Sequence, residues 1–132
     1  MDDYLEPLEP DETVEWYLEE KSLEYANSTI QSHRSRLRYF LKWCNEQGIT
    51  NLNDLTGRKL KRYRAWRQKD GDLAKPSLKS QIDTLRVFIS WCETIDAVPH
   101  DLSTKVVSPS LSEKENVRDV MVEQEQAERI LT

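Results

Sequence analysis

The stretches "TIQSHRSRLRYFLKWC" at 29–44 and "SLKSQIDTLRVFISWC" at 77–92 spell nearly the same helix twice. Offset by 48 positions, they share Leu37/Leu85, Arg38/Arg86, Phe40/Phe88, Trp43/Trp91 and Cys44/Cys92, with Ser32/Ser80 near their starts. At 100° per residue, Ile30, His33, Leu37, Phe40, Leu41 and Cys44 fall within one arc of roughly 100°. Leu78, Ile82, Leu85, Phe88, Ile89 and Cys92 again share one face in the second copy, with Lys79, Asp83, Arg86 and Ser90 opposite. Two amphipathic helices of this length bury their stripes against each other and against further helices. The repeat therefore predicts an all-α fold. Trp43 and Trp91 lie about 110° off the stripes and are expected to pack on neighbouring helices.

Two further helices complete the reading. Asp11 offers an N-cap to a short amphipathic helix carrying Val14, Tyr17, Leu18 and Lys21 and reaching about residue 22. A third runs from about 55 to 69, with Leu60, Tyr63 and Trp66 inward and Gly71 breaking it. The spacing Ser28-Thr29-Ile30-Gln31 predicts a capping box at the start of the second helix, and Gly48 its end. The fourth begins near Pro76 or Ser77, where proline is tolerated, and Pro99 marks its end. Residues 1–10 read as an acidic tail, 11–100 as the helical domain and 101–121 as a linker; a further helix begins near the end of the sequence.

A chain of 132 residues with 3 glycines and 37% hydrophobic content favours one helical domain with appendages. No run of 18 apolar residues occurs, and the first residues are acidic, which predicts neither a membrane span nor a secretory signal. Two cysteines and two histidines lack the close ligand spacing of a zinc site, so Cys44 and Cys92 read as small core hydrophobes in a reducing, cytoplasmic setting. No cofactor and no small-molecule ligand is expected. His33-x-x-Arg36 resembles a scrap of phosphoryl-transfer machinery, but without supporting residues, a glycine-rich phosphate loop or a nucleophile elbow it predicts no catalysis.

The net charge of -5 hides a segregated pattern. Residues 1–26 hold ten acids against one lysine, residues 27–90 fourteen Lys/Arg against five acids, and residues 91–132 nine acids against four bases. A basic middle between acidic ends suits a polyanion-facing body, although high-salt adaptation also raises surface acid content. Seven of the twelve residues 58–69 are basic; Lys59, Lys61 and Arg62 read equally as a solvated face or as part of that body. The starts of the second and fourth helices combine hydroxyls, cations and free backbone N–H groups: Thr29, Ser32, His33, Arg34 and Arg36 in one, Lys75, Ser77, Lys79 and Ser80 in the other. Those are the groups that contact nucleic-acid phosphates.

The elements "STIQSHRSRLRYFLKW", "ITNLNDLTGRKLKRYRAW" and "PSLKSQIDTLRVFISWC", in this order, resemble the N-terminal core-binding domain of tyrosine recombinases, the phage-integrase and Xer-like family. The closing "MVEQEQAERILT" is similar to the opening helix of the family's catalytic domain, which makes 122–132 the start of a truncated catalytic domain. The resemblance implies a four-helix SAM-like orthogonal bundle that clamps duplex DNA at a recombination site beside other recombinase protomers, associated with the nucleoid. It implies DNA contacts on the second and fourth helices, at Thr29, His33, Arg34, Ser77, Lys79, Ser80 and Arg86. The nucleophilic tyrosine and its Arg/Lys/His set are then expected beyond residue 132, so this fragment is no enzyme and Tyr4, Tyr17, Tyr25, Tyr39 and Tyr63 are not nucleophiles. The competing reading is a helical protein-interaction module whose acidic flanks are its working surface.

Overall fold

The computed structural model of the protein describes residues 5–71 and 73–109. Among the described residues four helices follow one another: α1 (Pro10–Lys21), α2 (Asn27–Glu46), α3 (Gly57–Gly71) and α4 (Lys75–Thr94), with single 3-10 turns η1 (Leu52–Asp54) and η2 (Leu102–Lys105). Among the described residues there is no strand. The apolar stripes bury as their spacing predicts: Leu37, Phe40 and Cys44 from α2 and Leu78, Ile82, Leu85, Phe88, Ile89 and Cys92 from α4 are all nearly inaccessible. Aromatic rings knit the helices at the centre. Phe40 meets Tyr63 of α3 edge-on at 5.5 Å, while Tyr17 of α1 meets Phe88 at 5.4 Å and Trp91 at 5.5 Å. Both repeated tryptophans leave their own stripe for a neighbour, Trp43 for Tyr63 and Trp91 for α1, as their angular offset requires.

The helix starts depart from expectation. α2 begins at Asn27 with Ala26 as N-cap and no side-chain cap, so the capping box from Ser28 does not form. Tyr25 is the cause: it tucks beneath Lys21 and against His33, and the chain re-enters helix two residues early. α1 starts one residue before Asp11, with Pro10 in its first turn and the Thr13 hydroxyl donating to the Glu9 carbonyl at 2.6 Å. α4 stops at Thr94, short of Pro99, because the chain turns through Asp96 at φ 58° and the Ala97 N–H returns to the Cys92 carbonyl.

The body also reaches past both ends of the expected domain. The Leu52 N–H bonds to the Leu8 carbonyl, the Glu6 N–H to the Asp96 carbonyl, and Asn53 Nδ2 donates to the carbonyls of Glu6 and Ala97. Leu102 and Val106, in the segment read as a linker, are buried against the bundle. Residues 110–121 of that linker and the expected helix at 122–132 lie outside the described residues. No described helix is long and apolar enough to cross a membrane.

Candidate nucleic-acid interface

α2 and α4 lie side by side and run in the same sense. The Arg36 guanidinium donates to Thr84 Oγ1 at 3.2 Å, and one turn further along both helices Phe40 packs on Phe88 at 6.2 Å. These pairs keep the same offset of 48 as the sequence repeat, so the two copies are in register in space. Their starts therefore share one end of the bundle. Ser32, Arg34, Lys75 and Ser77 are exposed there, with Thr29, Arg36, Lys79 and Ser80 half-buried.

Several of these side chains already have partners. Arg34 Nη1 pairs with Glu15 Oε2 of α1 at 2.5 Å. Asp83 holds Lys79 and Arg86, each at 2.8 Å, and accepts from Ser108, which also receives a bond from Arg86 at 2.9 Å. Burial raises the Asp83 pKa, but the bonds from Lys79 and Ser108 and the two cations outweigh it and hold the carboxyl below its usual range. Such pairs are half-exposed and worth about 0–1 kcal/mol each, so a phosphate can take either cation from its carboxylate at small expense.

His33 is turned inward. Tyr17 Oη lies 3.0 Å from Nδ1, the two rings stack 6.1 Å apart, and Tyr25 closes the other side. Burial first, then Arg36 and Lys21, lower the His33 pKa, while burial raises that of Tyr17. A neutral imidazole accepting at Nδ1 from a neutral phenol fits both shifts.

Sequence patterning missed Arg67, one of the seven cations of 58–69. It is 4% exposed, with Nε donating to Gln81 Oε1 at 2.6 Å and its guanidinium 3.8 Å over the Tyr39 ring. The signal was its position, in line with Leu60 and Tyr63 on the inner face. A groove of about 750 Å³ runs along α4, lined by Lys21, Lys79, Arg86, Val87, Trp91 and Ser103. It was not foreseen, since η2 supplies one wall. Among the described residues no His/Cys/Asp/Glu cluster could hold a metal ion.

Residues 14–94, spanning α1 to the last residue of α4, match the family model of the phage integrase N-terminal SAM-like domain. The chain belongs to that family. The crystal structure of the N-terminal domain of a phage integrase/site-specific recombinase from Haloarcula marismortui superposes with a TM-score of 0.76 at 34% identity, over 79% of this chain and 99% of that one. No curated protein matches the chain. The all-α, four-helix, SAM-like architecture that the resemblance implies is thus the integrase N-terminal fold, and in this chain α2 and α4 form a parallel pair within it.

Proposed function

We propose that this integrase-family domain is the DNA-binding, core-binding part of a site-specific tyrosine recombinase, holding duplex DNA at the recombination site through the starts of α2 and α4. The observation that carries the reading is the in-register α2–α4 pair, whose hydroxyl- and cation-bearing starts lie at one end of the bundle. Thr29, Ser32, Arg34 and Arg36 contact the duplex from α2, and Lys75, Ser77, Lys79, Ser80 and Arg86 from α4. His33 serves the same surface by fixing the α2 start on Tyr17. Binding is mainly to phosphates, beside other recombinase protomers on DNA in the cytoplasm, and the chemistry of strand exchange belongs to a separate catalytic domain.

The test is duplex binding as a function of salt. Neutralising about five phosphates gives a log–log slope near −4 to −5. Arg34→Gln and Lys79→Gln should each make the slope shallower by about 0.9 while leaving the melting temperature within a few degrees. Flat salt dependence, or no binding to any duplex at low salt, would favour the protein-interaction reading instead.

A further inference from the structure

The cations of the α2 and α4 starts are partly neutralised by Glu15 and Asp83, whereas those of α3 are not. Arg58, Lys61, Arg62 and Lys69 fall within an arc of about 100° on α3 at 100° per residue, and all four are exposed. Leu60, Tyr63 and Arg67 occupy the opposite arc and pack inward, so the stripe faces away from the core. From η2, Lys105 joins its N-terminal end: its side chain lies across Gly57, where an added Cβ would come within 2.8 Å of the Lys105 Cδ. A groove there is lined by Gly57, Arg58, Lys61, Lys105 and Val107, and includes no acidic residue. Among the described residues, none of these five cations forms an ion pair.

Five like charges within a stretch of about 16 Å repel one another and destabilise the isolated domain. A concentration of unpaired charge is compensated when a polyanion is present. Duplex DNA offers one phosphate per about 1.7 Å of axis, so a stripe of this length meets several. Val107 connects this groove to the other surface, because the next residue, Ser108, is bonded to Arg86 and Asp83 of α4.

We propose that the outer face of α3, with Lys105, is a second phosphodiester-binding surface, which engages the DNA backbone beside the segment held by α2 and α4. The proposal takes only the identity of the polyanion, duplex DNA, from the function proposed above. Its contacts are to phosphates alone and carry no sequence preference.

The experiment compares salt slopes on a duplex of about 30 base pairs for the wild-type chain and three variants. Arg58→Gln/Lys61→Gln/Lys105→Gln removes charge while keeping much of each aliphatic stem, and should make the slope shallower by about 2 to 3. Arg34→Gln/Lys79→Gln tests the first surface. Arg38→Gln/Lys42→Gln removes two cations that lie over Tyr39 and Trp66, and should change the slope little. An unchanged slope in the triple variant, with a shallower one in the α2/α4 variant, overturns the second surface and leaves the first standing. The reverse pattern upholds the second surface and removes the first. A loss per charge in the Arg38/Lys42 variant equal to that in the triple variant makes the effect one of net charge and overturns the proposal. Absence of duplex binding by the wild-type chain removes both surfaces. Low-salt self-association without DNA that the triple variant abolishes assigns the stripe to the acidic α1 of a second copy, and also overturns it.

Discussion

His33 couples the start of α2 to α1 through one proton. Its folded pKa lies below the ordinary value of 6.5, first because it is half-buried and then because Arg36 and Lys21 stand near it. The unfolded chain therefore binds more protons than the folded one as pH falls through that ordinary value, and stability falls with it. The contribution is fully present above about pH 6.5 and is lost as pH drops through the lower folded pKa. Thermal melts between about pH 7 and about pH 5 should show a falling melting temperature, and His33→Gln should flatten that part of the curve. A wild-type profile that is level over this range would mean the imidazole is not held neutral. The cysteines offer a second test at this scale. Burial pushes the Cys44 thiol up to about 12 and Cys92 well above its ordinary value, and both side chains are closed off in the core. Thiol reagents should modify neither in the native protein at neutral pH and both after denaturation; native labelling at the rate of a free thiol would contradict the packing.

Among the elements, the helices could be read from the sequence because their stripes are local and periodic, and Leu37, Phe40, Leu85 and Phe88 bury as the spacing dictates. The joints could not. Asn53 lies in a loop of ordinary turn composition, and what makes it structural is the arrival of Glu6 and Ala97 from opposite ends of the chain. Nor could a hydroxyl pattern reveal that Tyr25 would start α2 early, since that depends on His33 and Lys21 being folded around it. The same limit applied in part to the site: Asp83 was visible on the face of Lys79 and Arg86, but the pairing of Arg34 with Glu15 of α1, and the lack of an acidic partner along α3 among the described residues, follow from tertiary neighbours. Asn53→Ala should cost about 1–3 kcal/mol, because it leaves the exposed Glu6 carbonyl to solvent and strands that of the fully buried Ala97. Denaturant titration reads the loss, and a change within error would place water at the Ala97 carbonyl. Gly48→Ala should cost about 1 kcal/mol for a different reason. No atom lies within 4 Å of the added methyl, so the penalty is the left-handed φ of 71° alone.

At the scale of the whole molecule, the charge segregation of the sequence turns into internal competition. The acidic α1 packs on the basic α2 and on α4: Glu15 takes Arg34, and Glu20 accepts from the Trp91 indole at 2.9 Å. An acidic residue of α1 thus occupies Arg34 at the α2 start proposed above to meet DNA. This accounts for a domain that can be acidic overall and still present a local positive field. Removing one such acid should therefore improve DNA binding at little structural cost. Glu15→Gln frees Arg34 at a pair whose side chains are 60% and 47% exposed, and the stability change should stay within about 1 kcal/mol. If Arg34 then meets its phosphate without a competing carboxylate, duplex affinity at low salt rises. In the Arg34→Gln background the same Glu15→Gln change should add only the small, salt-screened gain of one fewer acid near the duplex, with no change of slope. Equal gains in both backgrounds would show that α1 acts through net charge, and that Arg34 is not one of the residues that hold DNA.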